Sequence, residues 1–244
     1  MARLSRAHGV DSASTWVQVA NFGELHLPED QSILLSLVRL ERLDEEDRRT
    51  LLRFLNSKEQ NRCESFKVSG ARSRFLVARA LVRCVLGKAL DCLPREVPIT
   101  TGEHGKPALD GIRNMKRIEF NISHSEDLVL AGFALHTTLG VDIEQVRDRT
   151  LLDEITRKHF HPDEQYLVLG ENGETDVTMF YRIWSLKEAV VKAMGIGIGY
   201  PTSSFSVAPA LHHEGSTPLE IAGTVWHCRQ LRVAKGYASA LALA

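Results

Sequence analysis

Apolar and polar positions alternate most strictly in Leu139-Gly140-Val141-Asp142-Ile143-Glu144. As a strand, this segment puts Leu139, Val141 and Ile143 on one face and Gly140, Asp142 and Glu144 on the other. Similar half-buried runs lie at Ile118 to Ser123 and Leu128 to Leu135. With Leu139 to Val146 they read as a meander of an antiparallel sheet. Shorter strands are expected at Trp16 to Ala20, Val97 to Thr101, Phe205 to Val207, Gly223 to Leu231 and Tyr237 to Leu243. A helical period takes over at Ala71 to Leu90, where Phe75, Leu76, Ala78, Leu81, Val82, Val85 and Leu86 recur on one side. It returns at Val177 to Met194, which the run Gly195-Ile196-Gly197-Ile198-Gly199 stops. Asp44 to Phe66 is a charged helical stretch with Leu51, Leu52, Phe54 and Leu55 as its buried stripe. Ser32 to Leu40 reads as a short helix, and 150–169 as two helices divided at His161-Pro162. Two long helices, one in each half and each followed by strands, give an α+β chain of two similar halves. The expected division is a flexible leader at 1–15, an N-terminal half at 16–137 and a C-terminal half at 138–244.

Composition narrows the function without choosing it. With 244 residues, 43% hydrophobic and 25% charged, the chain is an ordinary globular protein, long enough for one large domain or two small ones. A net charge of −1 gives no whole-chain attraction to nucleic acid or to a membrane surface. Cys63, Cys84, Cys92 and Cys228 are scattered, with no C-x-x-C pair, so neither zinc nor a disulfide framework is indicated and reduced thiols in the cytoplasm are expected. No apolar run reaches the ~20 residues a membrane helix needs. Arg3 and Arg6 without an apolar core exclude a secretory signal, although a Ser- and Arg-bearing leader is also compatible with an organelle transit peptide.

Candidate chemistry comes from four short stretches. Asp142 and Glu144 project from one side of their strand, and Gly140 beside them leaves room for a ligand; that is half of a hard-cation site, or else the solvated acidic face of an ordinary strand. In Phe180 to Lys192, Trp184, Glu188 and Lys192 lie four apart on one helix face. Glu188 would complete a metal site with the strand carboxylates, Lys187 and Lys192 neutralising phosphate; the alternative is a surface Glu-to-Lys pair. Phe120-Asn121-Ile122-Ser123-His124-Ser125 ends a strand with hydroxyl and imidazole donors suited to phosphate, or forms a turn in which Asn121 and Ser123 bond their own backbone. Gly105-Lys106-Pro107 puts a lysine on a tight loop and says little alone. No phosphate-binding glycine motif and no G-x-S-x-G elbow is present, which argues against P-loop enzymes, dehydrogenases and that class of serine hydrolase.

Taken in order, Gly-Lys-Pro, Phe-Asn-Ile-Ser-His-Ser, Gly-Val-Asp-Ile-Glu and Trp-Ser-Leu-Lys-Glu-Ala-Val-Val-Lys resemble the 4′-phosphopantetheinyl transferases of the surfactin-synthetase-activating type, over roughly residues 57–207. The resemblance implies two similar α/β halves with the active site in the cleft between them. It implies transfer of the phosphopantetheine arm of coenzyme A to a serine of an apo acyl or peptidyl carrier protein, releasing adenosine 3′,5′-bisphosphate. By motif, Asp142, Glu144 and Glu188 would hold Mg²⁺ against the pyrophosphate. Lys106, Ser123, His124 and Arg74, with Arg72 beside it, would meet the nucleotide end, and Lys187 and Lys192 the pyrophosphate. Glu188 is the expected base for the carrier serine, with Glu164 as runner-up. Lys58 and Arg62 stand where the family often carries lysines. An acidic carrier calls for a basic rim, for which Arg79 and Arg83 are candidates, or else solvated helix positions. A monomer is expected, since two fused halves supply internally what a single half gains by oligomerising. Two other classes share these features: a different Mg²⁺-dependent nucleotide or phosphodiester enzyme, and a non-catalytic carrier-protein adaptor.

Overall fold

The computed structural model of the chain describes residues 15–18, 25–27, 32–102, 105–112, 114–170, 174–213 and 215–244. All but the last residue of the expected leader, and Val19 and Ala20 of the first expected strand, lie outside them. The chain divides into two units, one holding residues up to 102 and 107–137, the other 103–106 and 138–244.

The first unit is organised on a 21-residue helix, α3 (Ser69–Ala89), whose residues from Leu76 to Gly87 are buried nearly all round except for Arg79. A helix apolar on every side must be covered on every side. Strands β5 (Ile118–Ser125) and β6 (Leu128–Leu135) pack on it, as do α1 (Glu45–Leu52) and α2 (Ser57–Ser65). The sheet runs β1 (Thr15–Gln18), β2 (Ile33–Arg39), β6, β5, with β1 and β2 parallel and the other neighbours antiparallel. The stretch expected as a short helix at 32–40 is therefore strand β2. It lies inside the sheet with Ile33 to Val38 all buried, and a strand covered on both faces loses the period of two that would reveal it. The single charged helical stretch is two helices, because Asn56 opens α2 with a capping box: its side chain accepts from the Glu59 amide while Glu59 reaches back to the Asn56 amide. The strand expected at 97–101 is the shorter β3 (Ile99–Thr101), paired with β4 (Pro107–Leu109).

The second unit departs from the meander. Strand β7 (Leu139–Gln145) does not continue the β5–β6 hairpin; it pairs antiparallel with β10 (Tyr237–Leu243) in a sheet of order β7, β10, β9 (Thr224–Leu231), β8 (Thr217–Ile221). Helix α6 (Val177–Met194) lies across β7 and β10. Helices α4 (Leu152–His159) and α5 (Pro162–Leu169) divide at His161-Pro162 as expected, with His161 capping α5. The strand expected at 205–207 is absent; 3₁₀ turns at Thr202–Ser204 and Ala208–Leu211 carry the chain there instead.

Candidate active site

The glycine of the alternating strand has a different use from the one its pattern suggests. A Cβ on Gly140 would lie 2.0 Å from the Ala189 carbonyl oxygen and 2.5 Å from the Ala193 amide nitrogen. Gly140 therefore makes room for the backbone of α6 and not for a ligand. In the register, Gly140, Asp142 and Glu144 stand opposite Ala242, Ala240 and Ala238 of β10, three alanines that belong to the apolar core beneath α6. Small residues on two neighbouring strands let the helix settle close to the sheet. The acidic face of β7 is thus the helix-covered face, with Asp142 1% exposed; Leu139, Val141 and Ile143 on the opposite face are fully buried as well.

That packing brings α6 charge onto β7 charge. Lys192 Nζ donates to Asp142 Oδ1 at 2.5 Å, with the lysine side chain 29% exposed. Burial alone would lower the Lys192 ammonium; Asp142, joined by Glu188 and Glu144, outweighs it and raises the lysine above its usual range. Glu188, one turn back on the helix, is half-buried. Burial pushes its carboxyl up and Asp142 adds to this, against the pull of Lys192. Three carboxylates and one ammonium therefore form one coupled, acidic group. Tyr181, two turns before Glu188, is buried on the same helix, and burial and then Glu144 raise its phenol. Its spacing of seven from Glu188 was the available signal in the sequence.

Hard carboxylate oxygens around a held cation suit Mg²⁺, which takes one or two carboxylates and keeps places for water and phosphate. Among the described residues no three His, Cys, Asp or Glu side chains are preassembled as a metal cage. Asp142, Glu144 and Glu188 are donors of the type Mg²⁺ takes, and here the Lys192 ammonium is the positive charge set among them.

Lys187 and Glu164 stand apart from this group. Lys187, expected at the pyrophosphate, is 1% exposed and pairs at 2.7 Å with Glu164, itself 0% exposed. Its ammonium also donates to the carbonyls of Thr202 at 2.7 Å and Phe205 at 2.6 Å, so its three protons are spent. Burial lowers it, opposed by Glu164. Glu164 in turn accepts from the amides of His161 at 2.9 Å and Val207 at 2.6 Å. A sealed lysine cannot meet a pyrophosphate and a sealed glutamate cannot take a proton from a carrier serine, so both assignments are corrected. Lys106 Nζ donates to the carbonyls of Ala193 at 3.3 Å and Leu139 at 3.5 Å, at the C-terminal end of α6 where the helix dipole favours a cation.

In the first unit, β5 ends with buried Ser123 and exposed His124, as its sequence suggests. Arg74 on α3 donates to the Glu126 carbonyl at 3.0 Å, which ties the helix to the turn that follows His124. Arg72 and Lys58 are exposed, and Arg62 lies over the Phe75 ring. Arg83 is neither rim nor solvated: it is 1% exposed, paired with Glu59 at 2.5 Å and bonded to the carbonyls of Pro94 and Val97. Arg79 also faces Glu59, at 3.9 Å.

Comparison with known proteins settles the family. Residues 138–242 match the model of the 4′-phosphopantetheinyl transferase superfamily, and residues 44–134 match that of the 4′-phosphopantetheinyl transferase N-terminal region. The 4′-phosphopantetheinyl transferase ffp of Bacillus subtilis is 30% identical over 179 residues, 73% of this chain and 76% of that protein. The chain belongs to the 4′-phosphopantetheinyl transferases. Sfp of Bacillus subtilis is 29% identical over 83% of this chain and 88% of its own length, which supports the Sfp type. HetI of Nostoc sp. is 33% identical over 144 residues, and the chain spans 61% of it. A 4′-phosphopantetheinyl transferase is an enzyme that moves a phosphopantetheine group to a carrier protein, and the α+β fold described above is that of this family.

Proposed function

We propose that this transferase takes coenzyme A as donor and an apo acyl or peptidyl carrier protein as acceptor. The carrier serine oxygen attacks the β-phosphorus of the pyrophosphate, the bond from that phosphorus to the 5′-phosphate oxygen breaks, and adenosine 3′,5′-bisphosphate leaves. The observation that carries this reading is the coupled group on β7 and α6, with Lys192 held on buried Asp142 and Glu188 and Glu144 beside them.

Attack builds negative charge on the equatorial oxygens and on the leaving phosphate, so catalysis is positioning plus charge stabilisation. We assign Mg²⁺ to Asp142, Glu144 and Glu188, where it would neutralise pyrophosphate oxygens when bound. Lys192 supplies a second positive charge from the same helix face. Glu188 is the base for the serine hydroxyl, directly or through water. Arg74, Ser123 and His124 are assigned to the phosphates of the nucleotide end, His124 to the 3′-phosphate. Lys106 is assigned to the nucleotide phosphates as well. No helix of the described residues is long and apolar enough to cross a membrane. The same reading has the enzyme act as a cytoplasmic monomer.

Incubation with coenzyme A, Mg²⁺ and an apo carrier domain is expected to add one phosphopantetheine mass to the carrier, read by intact-protein mass spectrometry. No gain across several acyl and peptidyl carriers overturns the reading. Asp142→Ala is expected to abolish the gain while circular dichroism stays that of the folded protein; a fully active variant overturns the metal assignment.

A further inference from the structure

We propose that Lys187 and Glu164 are positioning residues for the transfer reaction, their ion pair fixing the rotation of α6 about its own axis and so the aim of Glu188 and Lys192. This rests on the assignment of Glu188 and Lys192 to the site.

The pair has the properties of a clamp. Both side chains are sealed from water, and a buried ion pair adds little net stability unless its geometry is complete. Here it is complete. Glu164 takes three donors, from the His161 amide, the Val207 amide and Lys187; Lys187 gives three, to Glu164 and to the Thr202 and Phe205 carbonyls. Every bond but the capping one to His161 joins separate parts of the chain: α5, α6 and the connection at 202–207. Directional bonds to fixed backbone groups define one orientation, which an apolar contact of the same volume would not.

The place of the pair on α6 gives this orientation its consequence. Lys187 immediately precedes Glu188, so the anchored side chain and the reacting one point about 100° apart around the helix. Around the rest of the circumference α6 meets β7 closely at Gly140 and through the part-exposed Lys192 on Asp142, and half-buried Arg182 donates to Gln230 and to the Leu211 carbonyl. Close contact sets the distance between helix and strand; of the bonds that set the twist, the Lys187–Glu164 pair is the one sealed from water on both sides. A rotation of about 10° moves a group about 6 Å from the axis by about 1 Å. An error of that size is enough to lower a rate about 100-fold.

The test is the double variant Glu164→Leu/Lys187→Met, which removes both charges and leaves neither unpaired, assayed with coenzyme A, Mg²⁺ and an apo carrier beside the wild type. We expect a folded protein with kcat lower at least 10-fold and the Mg²⁺ concentration for half-maximal rate higher at least 10-fold. The near-ultraviolet circular dichroism of Trp184, which stacks on Phe180 and lies tilted against Phe160, should change. Glu164→Gln, which keeps an acceptor for the Val207 amide, should fall between the two, and it serves as the test if the double variant does not fold. Folded variants with wild-type kcat, Mg²⁺ dependence and Trp184 signal overturn the positioning role alone. A wild type that transfers nothing overturns the functional reading instead.

Discussion

Gly140 shows how a single residue type can be read correctly for chemistry and wrongly for purpose. The alternating pattern placed it beside Asp142 and Glu144, and only the path of α6, more than forty residues away, reveals what fills the space. Gly140→Ala is expected to cost about 1–3 kcal/mol or more by overpacking, measured by urea unfolding, and to reduce transfer by pushing Lys192 and Glu188 away from Asp142. Unchanged stability would mean the helix yields freely. Asp142, Glu144, Glu188 and Lys192 were legible because a strand and a helix each display their charges at a fixed local period. The Glu164–Lys187 pairing was not, since nothing in either local pattern reports a partner 23 positions away. The cysteines give a second test. Burial pushes the Cys228 thiol up to about 12, and burial raises Cys84 as well. At pH 8 only about 1 in 10⁴ Cys228 side chains is then thiolate, and that fraction grows tenfold per pH unit towards the raised value. Cys63, Cys84 and Cys228 are buried and Cys92 is half-exposed. Iodoacetamide at pH 8 should label Cys92 in the native protein and the other three only after denaturation, by peptide mass mapping. Rapid native labelling of Cys228 would contradict its burial.

Among the elements, α3 and α6 could be placed because their apolar stripes are long and their ends carry signals. Gly195 ends α6 at φ +72, the left-handed conformation that glycine adopts without strain. Gly195→Ala should cost about 1–2 kcal/mol in a thermal melt, and Gly195→Asn less. An alanine variant as stable as wild type would show that the helix end reshapes. The break between α1 and α2 was written in the sequence as Asn56 with Glu59 three residues later, a capping box hidden within a continuous charged stretch. Strand β2 had no such marker, because flanking strands and cover on both faces remove alternation from an inner strand. Strand β8 was missed because Pro218 argues against a strand; it is tolerated at the edge of the sheet, where a missing amide breaks no ladder.

At the scale of the whole molecule, the division into halves follows from two helix-plus-strand blocks, but strand pairing across long separations leaves no local trace. The hairpin β5–β6 was readable from its short turn; the pairing of β7 with β10, whose residues differ by up to 104 positions, was not. Deleting residues 237–244 removes the only ladder partner of β7 among the described strands. The truncated chain should lose cooperative unfolding of its second unit, with amide exchange in β7 turning fast. Protected amides in that strand would show that α6 alone holds it. The same pairing bears on how the enzyme comes into being. Asp142 emerges from the ribosome almost 100 residues before the strand that must flank it, a delay of about 5–20 s at ordinary synthesis rates. During that interval β7 is an apolar segment with unpaired backbone groups, exposed to chaperones or to neighbouring nascent chains. The charged group around Asp142 is therefore among the last parts of the newborn protein to assemble, and the yield of this transferase in a cell should depend on how well that waiting strand is protected.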